Sequence, residues 1–429
     1  MEGNAYARWF RGSTPYISAH RDKTFVVLLP GEAFGHVNLT NIVHDLALLH
    51  VLGVRVVLVH GARPQIDELC TNADFHQGQR ITNETDITSV ARVCGQIRTH
   101  LEALFSTGLP NSPMHNVDIP VTSGNFITAQ PIGVRDGVDH LLTGAVRKVD
   151  AQRIHKNLSN GGLILQSPIG FSPSGQAFNL ASDLLAAKIA QAISADKLIT
   201  FNADGALRAS DGARISSITP AEAAAHVSDT AINNTMSNLI AAVQGGVPRA
   251  VLLSYQDDGA LLRELFTAEG AGTQITESAG RDVRTATLQD VAAIVEIIRP
   301  LEEQGVLVRR ERDRLEQEIE HFLVAEIDGI VVGCCAVYPY GEQEELACVA
   351  VHENYRQAKN SGIGSTLLQA AQDRARDNGA RALFALTTQA RDWFIEQGFV
   401  DADPDALPSQ KRSLYNWQRN SQVVVKALR

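Results

Sequence analysis

The stretch YRQAKNSGIG (Tyr355–Gly364) lies between an apolar run, LACVAV (Leu346–Val351), and an amphipathic pattern, STLLQAAQDRAR (Ser365–Arg376). A Gly-x-Gly turn that opens a helix lets the backbone come close to a ligand and aims N–H groups at it from the helix's positive end. Phosphate suits such a place. The same glycines equally serve a plain strand-to-helix turn that needs unusual dihedrals, and the neighbourhood has to decide between the two. Around the loop stand an acid at the head of the strand, Glu345, a hydroxyl pair, Thr387 and Thr388, and the arginines Arg309, Arg310 and Arg419. On their own these read as a strand-end acid beside Glu344, strand threonines chosen for β propensity, and solvated surface charge.

The elements that must position them form two series. From Thr24 short β-branched runs alternate with helical periodicity: TFVVLL (Thr24–Leu29), a helix in NLTNIVHDLALLHVLG (Asn38–Gly53) and VRVVLVHG (Val54–Gly61) make a β-α-β unit. The strands GGLILQ, KLITFN and AVLLSY and the helices ASDLLAAKIAQAI and GALLRELFTAEG continue it, which argues for a largely parallel α/β sheet covered on both faces. In TESAGRDV (Thr276–Val283) the pattern lapses into small, polar residues, and the grammar changes afterwards. The boundary is placed there, giving units 1–278 and 279–429. The second unit reads strand, helix, charged helix, a hairpin turning at Asp328-Gly329, the LACVAV strand, glycine loop, helix, strand, a short helix in ARDWFIEQGF and a last strand in SQVVVKAL.

Composition excludes several classes. With 44% hydrophobic residues the chain can bury sizeable cores, and 48 Asp plus Glu against 38 Lys plus Arg give a formal charge of -10 with no basic run. Nucleic acid is therefore not an expected partner. The five cysteines, odd in number and without a CxxC pair, indicate neither a disulfide framework nor a zinc ribbon, and read as small buried side chains in a reducing compartment. The histidines show no His-x-His or HExxH spacing, so no metal is expected. No apolar core of signal-peptide type opens the chain and no window nears the ~18 apolar residues of a membrane span. A cytoplasmic protein without a membrane partner is expected.

Taken together, the order of elements and the glycine loop of the second unit resemble a Gcn5-related N-acetyltransferase (GNAT) domain, an α+β fold. The strings RPLEEQGVLVRRER (Arg299–Arg312), ELACVAVHENYR (Glu345–Arg356), LFALTTQARDWFIEQGF (Leu383–Phe399) and LPSQKRSLYNWQRNSQVVVKAL (Leu407–Leu428) are similar to the bacterial amino-acid N-acetyltransferases of the N-acetylglutamate synthase family. VHGARPQID (Val59–Asp67) and SGNFITAQPIGVRDGVD (Ser123–Asp139) carry the likeness into the first unit, where it implies an amino-acid-kinase fold. The resemblance thus covers nearly the whole chain. It implies transfer of the acetyl group of acetyl-CoA, a co-substrate rather than a tightly bound cofactor, to the α-amino group of L-glutamate, the first step of arginine biosynthesis.

In that family the loop catches the pyrophosphate of acetyl-CoA, and the strand before it splays from its neighbour to pair with the pantetheine amides. The resemblance therefore implies that Val349, Ala350, Val351 and the loop residues Lys359, Asn360, Ser361, Gly362, Ile363 and Gly364 bind acetyl-CoA, an N–H near Val349 facing the oxyanion. Lys359 stands where the family has Gln or Arg, so a cation is kept and the planar fork is lost. Glu345 takes the place of the family's base, since an α-ammonium must lose a proton before its nitrogen attacks. Thr387 takes that of the hydroxyl that assists the departing thiolate. Arg309, Arg310, Arg419 and Ser421, supported by Lys411 and Arg412, fall in the motifs expected to hold the two carboxylates.

A kinase of the first unit's fold would need phosphate-binding lysines and glycine-rich strand ends. LLPGEAF has no lysine before a glycine pair, GARPQ keeps one glycine and NNTMSNLIAAVQGGVP has no lysine, although FNLASD (Phe178–Asp183) still resembles the family's substrate-side motif. Regulation is expected here, with a working kinase fused to the acetyltransferase, or a catalytically silent arginine sensor, as the alternatives. ELFTAEGAGT (Glu264–Thr273) resembles the signature near the arginine site of arginine-sensitive kinases and synthases. This implies L-arginine as an inhibitor, with Glu264, Phe266, Gly270, Gly272 and Thr273 as effector residues. From the residues alone, the segment is a helix capped at Gly270 followed by a turn. The resemblance also implies a homo-oligomer, a hexamer, with the N-terminal helix around YARWFRGSTPYI in its assembly.

Overall fold

Runs that are apolar at every position, not every second one, belong to strands buried on both faces, and the first unit is built on them. The computed structural model describes residues 7, 10–109, 111–209, 212–226, 232–267, 269–277, 282–327, 329–356, 362–413 and 421–428. Contacts divide the chain into Met1–Gly280 and Arg281–Arg429.

In the first unit Leu163–Gln166, Arg55–His60, Thr24–Leu29, Lys197–Asn202 and Arg249–Ser254 lie side by side, each parallel to its neighbour, within an eight-stranded sheet. Val26, Leu28, Val57 and Val59 pack with helices Ser182–Ala192 and Ile232–Gln244. The alternate positions Phe25, Val27, Val56 and Leu58 are equally buried and face the other way, toward Leu39–Val51. Two parts of this unit lie outside the sequence reading. One is the 22-residue helix Glu84–Phe105, capped by Asn83, whose side chain accepts the Asp86 N–H at 2.8 Å. The other is a four-stranded sheet of Ala177–Asn179, Ile169–Phe171, Ile127–Pro131 and Gly144–Val149.

The helix expected to end at Gly270 is shorter, Ala260–Phe266, with Thr267 already extended. Glu264 is the cause. Its buried carboxylate accepts the N–H groups of Ala271 at 2.7 Å and Gly272 at 2.8 Å, which draws the chain back over the helix end through Gly270 at φ 62°.

The second unit is one twisted sheet of seven strands: β1 Asp282–Thr285, β2 Phe322–Ile327, β3 Ile330–Tyr340, β4 Gln343–Val351, β5 Ala382–Thr387, β6 Val400–Ala402 and β7 Gln422–Ala427, in the order β1-β2-β3-β4-β5-β7-β6. Only β4 and β5 run parallel; the other neighbours are antiparallel. The β2–β3 hairpin closes between Ile327 and Ile330 with Gly329 at φ 79°; Asp328 lies outside the described residues. Helices α1 (Val291–Glu303) and α2 (Arg312–Gln317) bury Ile294, Ile297, Ile298 and Leu315 against Phe322, Val324, Cys334 and Cys348. Helix α3 (Ile363–Asp377) packs on the sheet through Leu367, whose carbonyl accepts the Cys335 thiol at 3.8 Å. Helices α4 (Arg391–Glu396) and α5 (Ser409–Arg412) lie between the last strands in sequence. All five cysteines are free and buried.

Asp290 ties β1 to α1. Arg284 donates to it twice, Nη1 to Oδ2 at 2.8 Å and Nη2 to Oδ1 at 2.9 Å, and the Thr287 N–H adds a third bond at 2.7 Å. The Arg284 hydrogen bonds, opposed by burial and helped by Thr287, hold the carboxyl at about 2, below its ordinary 3.8. Because the folded value lies below the unfolded one, this stabilisation is present above the ordinary value and lost as pH falls through the folded one. Asp290→Asn is expected to cost this unit roughly 2 kcal/mol at pH 7 in chemical denaturation. The gap to the parent should narrow as the pH is lowered toward that of the depressed carboxyl; a gap independent of pH would assign the loss to packing instead.

Candidate active site

The site begins where two strands part. β4 and β5 pair only over Gln343–Glu345 and Ala382–Phe384. Beyond that point β4 runs on through Leu346–Val351, held by β3, and β5 through Ala385–Thr387, held by β7. Over Leu346–Ala350 and Ala385–Thr387 the two strands do not pair with each other, and a parting of this kind invites a ligand with its own amides. The gap opens into a cleft of about 500 Å³ lined by Leu346–Val351, Ala385–Thr388 and Gly362–Ser365, with Trp393 and Phe394 of α4 alongside.

A bulge lies in the middle of β4. Cys334 pairs with Ala350 and Ala336 with Ala347, so Cys335 faces two residues, Cys348 and Val349. Cys348 takes φ 54°, a left-handed conformation rare for a residue with a side chain. The buried Cys348 side chain is held in the core with Cys334, and the extra residue takes a peptide group at Val349 out of the β3 ladder at the centre of the cleft.

The far end of the cleft is the start of α3. Gly362 is its N-cap at φ 49°, ψ 9°, and the first helical bond runs from the Thr366 N–H to the Gly362 carbonyl at 2.9 Å. The N–H groups of Ile363, Gly364 and Ser365 precede that bond, at the positive end of a 15-residue helix. Gly364 has a second reason to be glycine: an added Cβ would stand 3.3 Å from the Trp393 ring. Lys359, Asn360 and Ser361 lie outside the described residues, as does Arg419.

Glu345 occupies the last paired position of β4, so it sits where the strands part. It is 6% exposed, and the Lys411 ammonium from α5 lies 2.6 Å from its Oε2. Lys411 also lies 5.9 Å from the centre of the Tyr340 ring. Burial raises the Tyr340 phenol above its ordinary range, and the Glu345 carboxylate adds to this by its charge and by accepting the phenol's hydrogen bond. Neighbouring Glu344 is buried too, and accepts from Asn378 Nδ2 at 2.9 Å. Neither is the solvated acid that the residues alone allowed.

The arginine pair divides. Arg309 is exposed and 3.6 Å from Glu311. Arg310 is the half-buried one: burial opposes its charge, but Cys348, Tyr338 and Glu345 around it more than offset this and hold the guanidinium above its ordinary range. Tyr338 donates its hydroxyl to Glu318 at 2.8 Å. Arg412 is occupied with the Asp405 carbonyl at 2.9 Å. Thr387 is buried at the cleft wall, its Oγ1 accepting the Ala390 N–H at 2.9 Å, and next to it the buried Thr388 Oγ1 has no hydrogen-bond partner among the described residues. β7 starts opposite Thr387, which puts half-buried Ser421 at the same end of β5. Tyr340, Tyr338 and the bulge were missed from sequence: two tyrosines in a strand carry no signal of what they face, and the bulge bears no glycine.

In the first unit a cavity of about 410 Å³ takes in Asn179–Asp183, the FNLASD segment, with Arg63, Arg80 and Arg135 but no lysine among its described lining residues. Burial pushes the Asp183 carboxyl up, with only partial relief from Thr235. The five expected effector residues are gathered in one knot. The Glu264 carboxylate accepts from Gln274 Nε2 at 2.8 Å besides the two backbone groups, and Phe266 packs 5.9 Å from the His20 ring. Thr273 Oγ1 donates to the Ile215 carbonyl at 2.6 Å, and Gly272 passes so near the Leu252 carbonyl that a Cβ would come within 2.4 Å. Among the described residues no group of three or more His, Cys, Asp or Glu is placed to hold a metal, and no helix is long and apolar enough to cross a membrane.

A seven-stranded sheet that splays at its one parallel pair, over a helix N-terminus, following a parallel α/β unit in the sequence, defines a GNAT acetyltransferase joined to an amino-acid-kinase fold. Residues 23–254 match the amino acid kinase family and residues 318–401 the acetyltransferase (GNAT) domain. An amino-acid acetyltransferase of Azotobacter vinelandii is 46% identical over 99% of both chains, and one of Aeromonas salmonicida 44% over 98% of this chain and 97% of its own. The crystal structure of N-acetylglutamate synthase from Neisseria gonorrhoeae with coenzyme A and L-arginine, 34% identical, superposes with a TM-score of 0.86 over 99% of both chains. The same enzyme with coenzyme A and N-acetyl-glutamate gives 0.64 at 35% identity and the same coverage. The chain belongs to the amino-acid acetyltransferase family, and is an acyltransferase that uses acetyl-CoA as co-substrate.

The left-handed residue in the bulge makes a stability prediction. Cys348→Val nearly restores the buried volume that Cys348→Ala empties, yet a β-branched residue tolerates positive φ worst. We expect the valine variant to be the less stable of the two by about 1 kcal/mol or more in thermal denaturation. The reverse order would mean that the bulge relaxes without cost.

Proposed function

We propose that this acetyltransferase acts on L-glutamate, giving N-acetyl-L-glutamate and CoA, and that L-arginine inhibits it. The observation that carries the reading is the parting of β4 and β5 at a buried glutamate, over a cleft that runs to the N-terminus of α3. The coenzyme A, N-acetyl-glutamate and L-arginine held by the Neisseria gonorrhoeae enzyme support it.

In this reading the pantetheine arm lies between the strands and pairs with Val349, Ala350 and Val351. The pyrophosphate meets the N–H groups of Gly362, Ile363 and Gly364, with Lys359, Asn360 and Ser361 completing the loop. Glu345 takes one proton from the substrate's α-ammonium. The amine nitrogen then bonds to the acetyl carbonyl carbon, the Val349 N–H stabilises the oxyanion, and the C–S bond breaks as the nitrogen's second proton passes to the thiolate side. Thr387, whose Oγ1 accepts from Ala390, keeps its own hydroxyl proton to direct at the leaving sulfur. Arg310, turned into the protein beside Glu345, is given the larger share of carboxylate binding with Arg419 and Ser421, and exposed Arg309 the smaller. The first unit regulates: the knot around Glu264 frames the arginine site, and the chain works as a cytoplasmic homohexamer.

The test is CoA release from acetyl-CoA with L-glutamate, aspartate, glutamine or no amino acid, each with and without arginine. Glutamate-dependent release suppressed by arginine is expected; equal release with all acceptors would overturn the substrate, and indifference to arginine the regulation. Arg419→Ala should raise the glutamate KM at least tenfold, since an unpaired carboxylate is costly, and leave the acetyl-CoA KM near that of the parent. Glu345→Gln should lower kcat at pH 7 by roughly 10²- to 10³-fold and change the pH-rate profile; an unchanged profile would take Glu345 out of the mechanism.

A further inference from the structure

A base that is already ion-paired is not free to take a proton. Glu345 is capped by Lys411 at 2.6 Å, the two side chains being 8% and 19% exposed. Four elements meet at the pair: Lys411 comes from α5, Tyr340 and the register partner Tyr338 from β3, Arg310 from the segment after α1, and the neighbour in β5 is the non-titrating Phe384. Arg310 and Tyr340 remain beside Glu345 whatever Lys411 does. The ammonium, at the end of a flexible stem on a four-residue helix, is the member of the cluster most easily exchanged.

We propose that Lys411 is exchanged between Glu345 and the α-carboxylate of the incoming amino acid, so that recognition of the substrate is what releases the base. This rests on the reading of Glu345 as base. The α-ammonium and α-carboxylate hang from one carbon. A substrate that brings its ammonium to Glu345 therefore brings its α-carboxylate within reach of the lysine that touches Glu345. The side-chain carboxylate, two methylenes farther on, is left to the arginines. Before exchange the carboxylate of Glu345 is paired with Lys411; after it, Lys411 is paired with the substrate carboxylate and Glu345 accepts one proton from the α-ammonium, leaving the neutral amine. An amine without an α-carboxylate enters the same cleft and leaves the base capped. Lys411 is thus a positioning and specificity residue.

Two variants of the full chain test this. In Glu345→Gln the lysine loses its charged competitor, so the binding preference for L-glutamate over L-isoglutamine, which keeps the α-ammonium, should rise roughly tenfold above the parent's in equilibrium titration, although turnover falls. An unchanged or smaller preference overturns the exchange. In Lys411→Met the preference for L-glutamate over L-isoglutamine, its α-carboxamide, should fall at least tenfold in kcat/KM. Lys411→Arg should restore the preference. A Lys411→Met enzyme with the parental preference would make Lys411 a structural prop and sink the proposal. The titration of Glu345→Gln decides the matter even if Lys411→Met fails to fold. The reading of function fails separately, if the parent releases no CoA with glutamate.

Discussion

The second unit depends on one broken pairing. β4 and β5 are the only parallel neighbours in its sheet, and they stay together for three residues. Antiparallel neighbours joined by a hairpin would be held in register along their length. These two are separated in sequence by α3, so each can be claimed by its other neighbour, β4 by β3 and β5 by β7. The wedge that results is the cleft. Its floor is set by the last shared pair, Glu345 and Phe384, and its roof by the helix that makes the crossover, so strand, acid and helix N-terminus arrive at one place by topology alone.

The bulge at Cys348 and the packing of Trp393 on Gly364 sharpen what topology supplies. Strain of the order of 1 to 2 kcal/mol at one residue is sustained by a core that traps its side chain. The gain is a peptide group released from the ladder in the middle of an otherwise continuous strand. Nearby, buried Glu345 with half-buried Arg310 and Lys411 carry a net positive charge, ready for an anion; a substrate with two carboxylates brings what the cluster lacks.

Much of this was legible in the residues. Alternation of TFVVLL, VRVVLVHG, KLITFN and AVLLSY with amphipathic runs argues for a doubly covered parallel sheet, because strands apolar at successive positions need cover on both faces and the runs between them supply it. The glycine loop pointed to the end of α3 for the same local reason. Other features depend on contacts distant in sequence. Lys411 meets Glu345 across 66 positions, and nothing local distinguishes Arg310 from Arg309 until the turn places one inside and one outside. The helix Glu84–Phe105 hid behind threonines and arginines on its wet face, though Ile87, Val90, Ile97, Leu101 and Phe105 mark its dry one. A helical run followed by Gly270 reads locally as a capped helix; the buried carboxylate of Glu264 makes the glycine part of a turn instead.

The five buried thiols are shared out unevenly: Cys70 and Cys94 in the first unit, Cys334, Cys335 and Cys348 in the second. Cys94 and Cys335 are well sealed, at 3% and 0% exposed, and alkylation requires the thiolate, which burial disfavours at both. Each half of the molecule therefore carries its own clock. Under dilute alkylating reagent, the rates at which the Cys94 and Cys335 peptides gain mass time the opening of their own units, without a dye, a tag or a substitution.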